Sequence, residues 1–457
     1  MRATTLALAS SLTLLLAISS APPAAAASYN VIYSFCSTSC AQGQSPAAPL
    51  IRDSSGKLYG TTQFGGANGG GVVFRLTPGA NPTTYTYTDL YDFCASSGCP
   101  DGEEPVAGLI IDSSGNLYGT TMVGGNAHIG GVVFELTKQS GSGQWPETVL
   151  YTFCSTIGSS GVCTDGKAPR ANLTYAGAAS GSSYDGTSLL FGTTERGGND
   201  TANNDWGTVY ALKNTSGTWS EKAINVFPGN TSNGEEPATG LVMDSSNKLW
   251  GTTPLGGSFS AGVAFVLNHG TDLWSDPWSE TVIYNFCYDH SNPCDDGRAP
   301  NGIVFDGSGN IFGTATQGGV GTSPGNGLVF ELTNSNCTEN GVSGFWCNTV
   351  LYNFCQSTGC ADGSGPAPRS TPVRDGSGAI YGTTEAGGNS TSSGILYSLS
   401  GSTLTVLHNF CSVGGSSCTD GGMPLAGVII ESNGNIYGVT SDNGSGTLHG
   451  TVFKYIP

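Results

Sequence analysis

Short apolar runs separated by clusters of glycine, serine, asparagine and aspartate recur along the whole chain. The clearest set comprises residues 107–112, 116–121, 131–136 and 147–153. These runs are rich in β-branched and aromatic residues, and the clusters between them favour turns, so the pattern predicts β-strands. We name the four predicted strands of this unit a, b, c and d in chain order.

Strand b carries a phrase, Leu-Tyr-Gly-Thr-Thr, that occurs seven times with small variations. Its glycines are Gly60, Gly119, Gly192, Gly251, Gly313, Gly382 and Gly438. Four-stranded antiparallel units in a tandem array predict an all-β, seven-bladed β-propeller. A β-solenoid is the alternative, but its rungs are usually half this length or shorter.

The two ends of the array complement each other. Residues 29–35 match strand d, whereas residues 450–455 match strand c and lack a following strand d. We therefore predict that the N-terminal strand closes the last blade, which would leave no exposed sheet edge.

The N-terminus has the features of a secretory signal peptide. A basic Arg2 precedes an apolar run near residues 6–18, and three alanines stand at 24–26. A membrane anchor is the alternative, but the run is shorter than the ~20 apolar residues that span a bilayer. We predict a signal peptide over residues 1–27 and a secreted, single-domain propeller over residues 28–457, without a membrane span.

The 14 cysteines occur as local pairs, and six of these pairs follow the phenylalanine that ends a strand d. An even count, regular phasing and export together predict disulfides. Zinc is the alternative, but each repeat offers one pair without a partnering histidine, and structural zinc needs four ligands. The predicted pairs are Cys36–Cys40, Cys94–Cys99, Cys154–Cys163, Cys287–Cys294, Cys337–Cys347, Cys355–Cys360 and Cys411–Cys418.

Two features of strand b carry structural expectations. The a–b junction reads Asp-x-x-Gly, which predicts a tight turn; a calcium loop is disfavoured because the alternating aspartates of an EF-hand are missing. The glycine of the repeated phrase is expected to leave room for an aromatic ring of a neighbouring blade, with a β-bulge as the alternative. The junction aspartates are Asp53, Asp112, Asp306 and Asp375.

Alternating strand directions predict that the d–a crossovers and the b–c loops lie on the same rim of the propeller. Most crossovers carry a cysteine pair followed by Asp-Gly. The crossover after Phe227 departs from this pattern, with Asn233-Gly234 and no cysteines, so we expect it to be held less rigidly.

These phrases resemble the GloVer-type extracellular tandem repeat family, in which Gly-Asn-Leu-Tyr-Gly-Thr-Thr precedes a Gly-Val-Phe strand. The best copy here begins at Gly115, and the resemblance covers nearly the whole mature chain. It implies a repeat architecture and export, and it transfers no catalytic residues. The C-terminal anchor common in that family is not found in this sequence, which favours free secretion.

Composition narrows the choice of partner. The formal net charge is −18 with only 15 Lys and Arg, so an acidic surface disfavours nucleic acid. The sequence offers no catalytic constellation, metal-ligand spacing or cofactor motif, so we predict no cofactor, no metal and no catalytic set. His408 replaces the usual tyrosine of strand d and is predicted to be a packed core residue.

Residues that break the repeat on the predicted rim are the candidates for binding. Aromatic rings there can stack on sugars, and carboxylates can serve as ligand-binding groups or as a glycosidase-type acid and base. The candidates are Phe64, His128, Glu195, Arg196, Trp206 and Glu385. We interpret the chain as a monomeric extracellular binding module for a glycan or a protein surface; the alternative is a polysaccharide hydrolase or lyase.

Overall fold

The computed structural model of the chain describes residues 26–36, 39–125, 129–141, 143–178, 181–198, 205–229, 233–288, 294–320, 325–339, 342–368, 370–388, 392–414, 418–442 and 449–457. The side chains of residues 336–345 are outside this description. The predicted signal peptide lies almost entirely outside it, so its boundary at residue 27 stays a prediction.

Small antiparallel sheets follow one another as the seven blades of an all-β propeller, which confirms the predicted fold class. Blade I contains β2 (Ile51–Arg52), β3 (Leu58–Thr62), β4 (Val72–Pro78) and β5 (Tyr85–Asp92), and blade II contains β6 (Ile110–Ile111), β7 (Leu117–Thr121), β8 (Val132–Leu136) and β9 (Glu147–Thr152). Blade III contains β10 (Leu190–Thr194), β11 (Thr208–Thr215) and β12 (Thr218–Val226). Blade IV contains β14 (Val242–Met243), β15 (Leu249–Thr253), β17 (Val263–Asn268) and β18 (Ser279–Asn285), with a small added ladder of β13 (Gly234–Glu235) and β16 (Leu255–Gly256).

The remaining three blades complete the ring. Blade V contains β19 (Arg298–Phe305), β20 (Ile311–Gln317), β21 (Leu328–Glu339) and β22 (Val342–Asn353), and a short 3-10 helix (Thr358–Cys360) follows it. Blade VI contains β23 (Ser364–Pro366), β24 (Val373–Arg374), β25 (Ile380–Ala386), β26 (Ile395–Ser400) and β27 (Thr403–Asn409). Blade VII contains β28 (Ile429–Ile430), β29 (Ile436–Thr440), β30 (Thr451–Ile456) and the N-terminal β1 (Ser28–Ser34).

Blade III departs from the four-stranded prediction. Its strand a is reduced to a single antiparallel bridge between Thr174 and Phe191. The chain then makes a long a–b connection in which Tyr184 bridges to Asp112 of blade II and packs against Tyr118. The repeat length is greatest here because this connection is inserted between strands a and b.

The N-terminal strand closes the ring as predicted, since β1 pairs antiparallel with β30. At one end of β1 the ring of Phe35 meets Phe74 of blade I edge-on, with centroids 5.1 Å apart. At the other end Tyr29 stacks on His408 of blade VI at 3.5 Å, and its hydroxyl donates to the carbonyl of Asp420. The first strand therefore joins both neighbours of blade VII, and His408 is packed as predicted.

An edge-on or tilted aromatic contact repeats at every blade junction. In each, the phenylalanine that ends strand d packs on the strand-c ring of the next blade, with centroids 4.9 to 5.4 Å apart. The seven pairs are Phe35–Phe74, Phe93–Phe134, Phe153–Tyr210, Phe227–Phe265, Phe286–Phe330, Phe354–Tyr397 and Phe410–Phe453.

The repeated glycine makes room for this ring, but the ring belongs to its own blade. Gly119 stands opposite Phe134 in the regular β7–β8 ladder, and a Cβ added to it would lie 2.7 Å from the ring. The expectation of a neighbouring blade's aromatic was therefore wrong. A bulge does occur in each blade, but between strands c and d, as at Val133 and Phe134.

Six of the predicted disulfides are present: Cys36–Cys40, Cys94–Cys99, Cys154–Cys163, Cys287–Cys294, Cys355–Cys360 and Cys411–Cys418. The side chain of Cys337 lies outside the described residues, so its pair stays a prediction. The a–b aspartates serve as turn acceptors: Oδ1 of Asp53 accepts bonds from the backbone N–H groups of Ser55 and Lys57. This confirms the turn interpretation.

Candidate functional site

The d–a crossovers and the b–c loops meet on one face of the propeller, which we call the crossover rim. Antiparallel backbone bridges join the two loops of a blade, as between Glu103 and Val123 and between Lys167 and Arg196. The prediction that these loops share a rim is therefore confirmed. Because crossover and loop are hydrogen-bonded together, side chains on them are held at defined positions around the axis.

Opposite charges form three ion pairs on the part of the rim built by blades III and IV. Arg170 Nη1 lies 2.7 Å from Glu195 Oε2, and Arg196 Nη2 lies 2.7 Å from Glu236 Oε1. A third pair joins Lys167 Nζ to Asp205 Oδ2, just before strand c of blade III, at 2.8 Å. We call the first four residues the rim charge chain.

Arg170 directs this chain towards the propeller axis. It lines an axial cavity of about 200 Å³ at a position where blades I, II and IV carry Ala47, Val106 and Ala238. Its side chain is 22% exposed, and Nε also donates to the sulfur of Met122 at 2.8 Å. A long cation where these three blades carry short apolar side chains gives one sector of the axial opening a polar wall.

The acidic members of this sector occupy a partly desolvated environment. Burial raises the pKa of Glu236, with Arg196 opposing and Glu195 reinforcing the change. Burial, followed by repulsion from Glu236, also raises the pKa of Glu235. The carboxylates of this sector are therefore only partly hydrated, and they lie beside the arginine donors of the rim charge chain.

The predicted binding residues do not form one cluster. Glu195 and Arg196 lie in the rim charge chain, whereas Glu385 stands at the position equivalent to Glu195 in blade VI, three blades away. Burial raises the pKa of Glu385. Phe64 is partly buried in a backbone bridge with the crossover that enters blade I. His128 lies outside the described residues.

Trp206 has a packing role that the sequence did not indicate. Its indole fills the space beside Gly229 where a Cβ would lie, in the crossover that lacks cysteines. In blades I and II a glycine takes this position, and Gly70 there approaches the Cβ of Cys94. Trp206 thus occupies space that a disulfide-bonded loop fills in other crossovers.

Arg170 and Glu236 were not among the sequence candidates, although both are visible once the repeats are aligned. Arg170 is the cation at a position where the other crossovers have uncharged residues, and Glu236 lies on the crossover one blade further on. Arg170 pairs with Glu195 across the two loops of blade III, and Glu236 pairs with Arg196 across the junction of blades III and IV, so spacing along the chain carries no signal for either pair.

Among the described residues, two groups of side chains have ligand atoms within 4.8 Å of one another, as a metal site would need: Cys36, Cys40 and His449, and Cys94, Cys99 and Glu103. All four cysteines are in disulfides, so their sulfurs are not available as thiolates.

Comparison with known families confirms the resemblance found in the sequence. Residues 19–188 match the Gloeobacter/Verrucomicrobia repeat. The matched region runs from the end of the predicted signal peptide through blades I and II to the a–b connection of blade III, and the same strand-b phrase continues through the later blades. A search of curated proteins gives no match.

Solved structures resemble the chain only distantly. The extracellular domain assigned to a one-component system, BT4673 from B. thetaiotaomicron, is 10% identical with a TM-score of 0.49, over 94% of this chain and 40% of that one. PorZ, a surface component of the type-IX secretion system of Porphyromonas gingivalis, is 14% identical with a TM-score of 0.46, over 88% and 46%. The chain thus spans less than half the length of either protein. A Dyadobacter fermentans protein of unknown function is 10% identical with a TM-score of 0.43, over 93% and 97%.

The described residues contain no helix that is long and apolar enough to cross a membrane. Six local disulfides are consistent with an oxidising, extracellular environment.

Proposed function

We propose that this protein is a secreted, monomeric binding module that holds a neutral carbohydrate on the crossover rim, above the axial opening. The observation that carries the proposal is the rim charge chain of Arg170, Glu195, Arg196 and Glu236, which places donors and acceptors side by side at 2.7 Å. A protein surface is the other extracellular partner that such a rim would suit.

The chemistry of the chain favours hydroxyl groups over ions. Each sugar hydroxyl can both donate and accept a hydrogen bond. Guanidinium groups donate to its oxygen, and carboxylate groups accept from its O–H. Two arginines and two glutamates balance in charge, so an ionic ligand gains little. The acidic surface of the whole chain further disfavours polyanions such as nucleic acid.

One further sequence candidate contributes beside this centre. Phe64 lies on the same rim and offers an aromatic face for a sugar ring. Similar loops repeat around the rim, so weak contacts on several blades would add avidity for a repeating polymer.

The test is retention of the purified oxidised protein on insoluble polysaccharides, followed by titration with soluble oligosaccharides of the polymer that retains it. Arg196→Gln should weaken binding by about 1.5–3 kcal/mol, because it removes charge-assisted hydrogen bonds. Lys138→Gln, on an exposed c–d loop, is the matched control and should bind as the wild type does. Retention that is unaffected by Arg196→Gln would contradict the assigned site.

A hydrolase is the second candidate, and one observation favours it. Glu195 is held beside the cation of Arg170, whereas burial raises the pKa of Glu385. A carboxyl group whose pKa is raised by burial is typical of the general acid of a glycosidase. Release of new reducing ends by the wild type, abolished in Glu385→Gln, would replace the binding proposal with this one.

A further inference from the structure

The opposite end of the propeller axis, on the face of the a–b turns, carries a second and larger opening of about 940 Å³. The innermost strands of five blades each contribute a partly buried aliphatic side chain to its wall. The residues that define this apolar funnel are Ile51, Ile110, Val304, Val373 and Ile429. A volume of this size with apolar walls is typical of a small-molecule site.

The apolar funnel tapers into the axial cavity. Ile51, Val373 and Ile429 line both spaces, so the two are continuous along the axis. The inner end is narrowed by Asn172 and Thr371, which stand where four other blades have glycine. Asn172 Oδ1 accepts a hydrogen bond from the backbone N–H of Gly108 at 2.6 Å, which holds that side chain across the constriction. A wide mouth and a narrow apolar end fit an extended chain better than a flat ring system.

Two arginines and one glutamate line the mouth of the apolar funnel, in a chain whose net charge is −18. Arg52 lies there and pairs through Nε with Glu431 at 2.7 Å. Arg374 lies over the ring of Phe312 at 4.0 Å, and its buried Nε has no hydrogen-bond partner among the described residues. Two guanidinium groups and one carboxylate thus lie beside the aliphatic wall.

Three carboxylates lie around Arg374. Asp375 is held by its own turn: its Oδ1 accepts hydrogen bonds from the backbone N–H groups of Ser377 and Ala379, and its Oδ2 accepts one from the Tyr381 hydroxyl. Asp306 and Glu331 interact electrostatically with Arg374, but among the described residues neither forms an ion pair with it. The guanidinium of Arg374 is therefore balanced at a distance and has no direct carboxylate partner.

We propose that the apolar funnel binds a free amphiphile with one unbranched aliphatic chain and a carboxylate head, as in a fatty acid. The chain lies along the axis between the strand-a aliphatics, and the carboxylate meets Arg52 and Arg374 at the mouth. Burial of each methylene contributes to affinity, and the guanidinium groups select the anionic head. This site is on the face opposite the crossover rim and does not depend on the function proposed there.

The test is calorimetric titration of the oxidised protein with dodecanoate, with dodecanol and dodecyltrimethylammonium as chain-matched probes. Dodecanoate should bind with one site per chain and at least tenfold more tightly than either probe, and hexanoate should bind more weakly because it buries fewer methylenes. Arg374→Gln should lower the affinity for dodecanoate about tenfold and leave that for dodecanol unchanged. Ile110→Asn should weaken both.

Matched variants separate this site from general effects. Arg298→Gln, an exposed arginine on the crossover rim, and Ile129→Asn, where the isoleucine is 51% exposed, should leave dodecanoate binding unchanged. Circular dichroism confirms that each variant is folded. Equal affinity for dodecanoate and dodecanol, an equal loss in Arg298→Gln, or no binding of dodecanoate would overturn the proposal. Binding only to vesicles of anionic phospholipid, and not to dodecanoate, would overturn it in favour of a membrane surface.

Discussion

Different residues hold the crossover loop in place in two parts of the molecule. One is the cysteine-free crossover from blade III to blade IV, and the other is the set of six disulfide-bonded crossovers. In five of the disulfide-bonded crossovers, a strand-d tyrosine or histidine is hydrogen-bonded to the aspartate of the Asp-Gly phrase, as Tyr151 donates to Asp165 at 2.8 Å. In the cysteine-free crossover, Asn225 takes the place of the tyrosine and donates to Glu280 at 2.9 Å, while Trp206 fills the volume beside Gly229.

The aromatic contact between blades is common to both types of crossover. Phe227 meets Phe265 at 5.4 Å without a neighbouring disulfide, and Phe93 meets Phe134 at 5.0 Å beside one. The comparison teaches that blade packing depends on the buried ring, and that the disulfide is one of two ways to hold the loop above it. The expectation that the cysteine-free crossover is held less rigidly stays a prediction.

The largest effect is expected from removing the closure itself. Deleting residues 28–35 behind an intact signal peptide removes β1 together with the contacts of Phe35 and Tyr29, and leaves β30 as an open edge. We expect Tm to fall by roughly 10 °C or more, since several kcal/mol of packing is lost. Differential scanning calorimetry measures this. An unchanged Tm would show that the ring does not need this strand.

Truncating the shared phenylalanine should cost the same in both kinds of crossover. Phe93→Ala and Phe227→Ala each remove a fully buried ring, and each should lower the free energy of unfolding by about 3–5 kcal/mol. Urea unfolding gives the two values. Met423→Ala, where the side chain is 45% exposed, is the control and should cost little. A much smaller loss at Phe227 would mean that the disulfide-bonded crossovers depend more on the ring.

Removing a disulfide should have a smaller and local effect. The double change Cys94→Ala and Cys99→Ala opens a short loop and should cost about 2 kcal/mol. Hydrogen exchange should accelerate in the crossover that enters blade II and stay unchanged around Trp206. Under reducing conditions the wild type should show the same acceleration in all six disulfide-bonded crossovers. Faster exchange around Trp206 on reduction would contradict the independence of the blade III crossover.

The smallest effect on stability is expected from a change of pH, which titrates partly buried glutamates at the blade junctions. Burial, and to a smaller extent repulsion from Asp101, raises the pKa of Glu147 to about 8. Burial, and to a smaller extent repulsion from Asp165, raises the pKa of Glu221 to about 8. Their Oε1 atoms have no hydrogen-bond partner among the described residues. The folded state thus retains protons that the unfolded state releases above about pH 4.5, so stability falls as pH rises from about 5 to 8.

Replacing one of these acids tests that assignment. Glu147→Gln should raise stability at pH 8 relative to pH 5 by roughly 1 kcal/mol, a value reduced for partial exposure. The measurement is Tm as a function of pH, with Glu103→Gln, on the crossover rim, as the control that keeps the wild-type profile. A profile in Glu147→Gln as steep as in the wild type would exclude Glu147 as the titrating group.

Local sequence patterns predicted the architecture because they are repeated. Strand runs, the seven strand-b glycines and the cysteine pairs each involve residues close in sequence, and the complementary ends predicted closure by β1. The pairing of Cys36 with Cys40 could be read from spacing because a loop of this length brings its own ends together.

Contacts between blades were the part that the sequence could not supply. A ring opposite Gly119 was expected, but whether it comes from the same blade depends on strand register, which pairs Gly119 with Phe134. Arg170 and Glu236 escaped notice because their partners lie across loops and a blade junction.

The sequence by itself thus determined the repeat, the strand order, the closing strand and the local disulfides, because each depends on periodicity or on neighbours along the chain. The tertiary structure alone decided which charges meet on the crossover rim and which aliphatics converge on the axis. Those side chains come from different blades, and only the curvature of the closed ring brings them within contact distance.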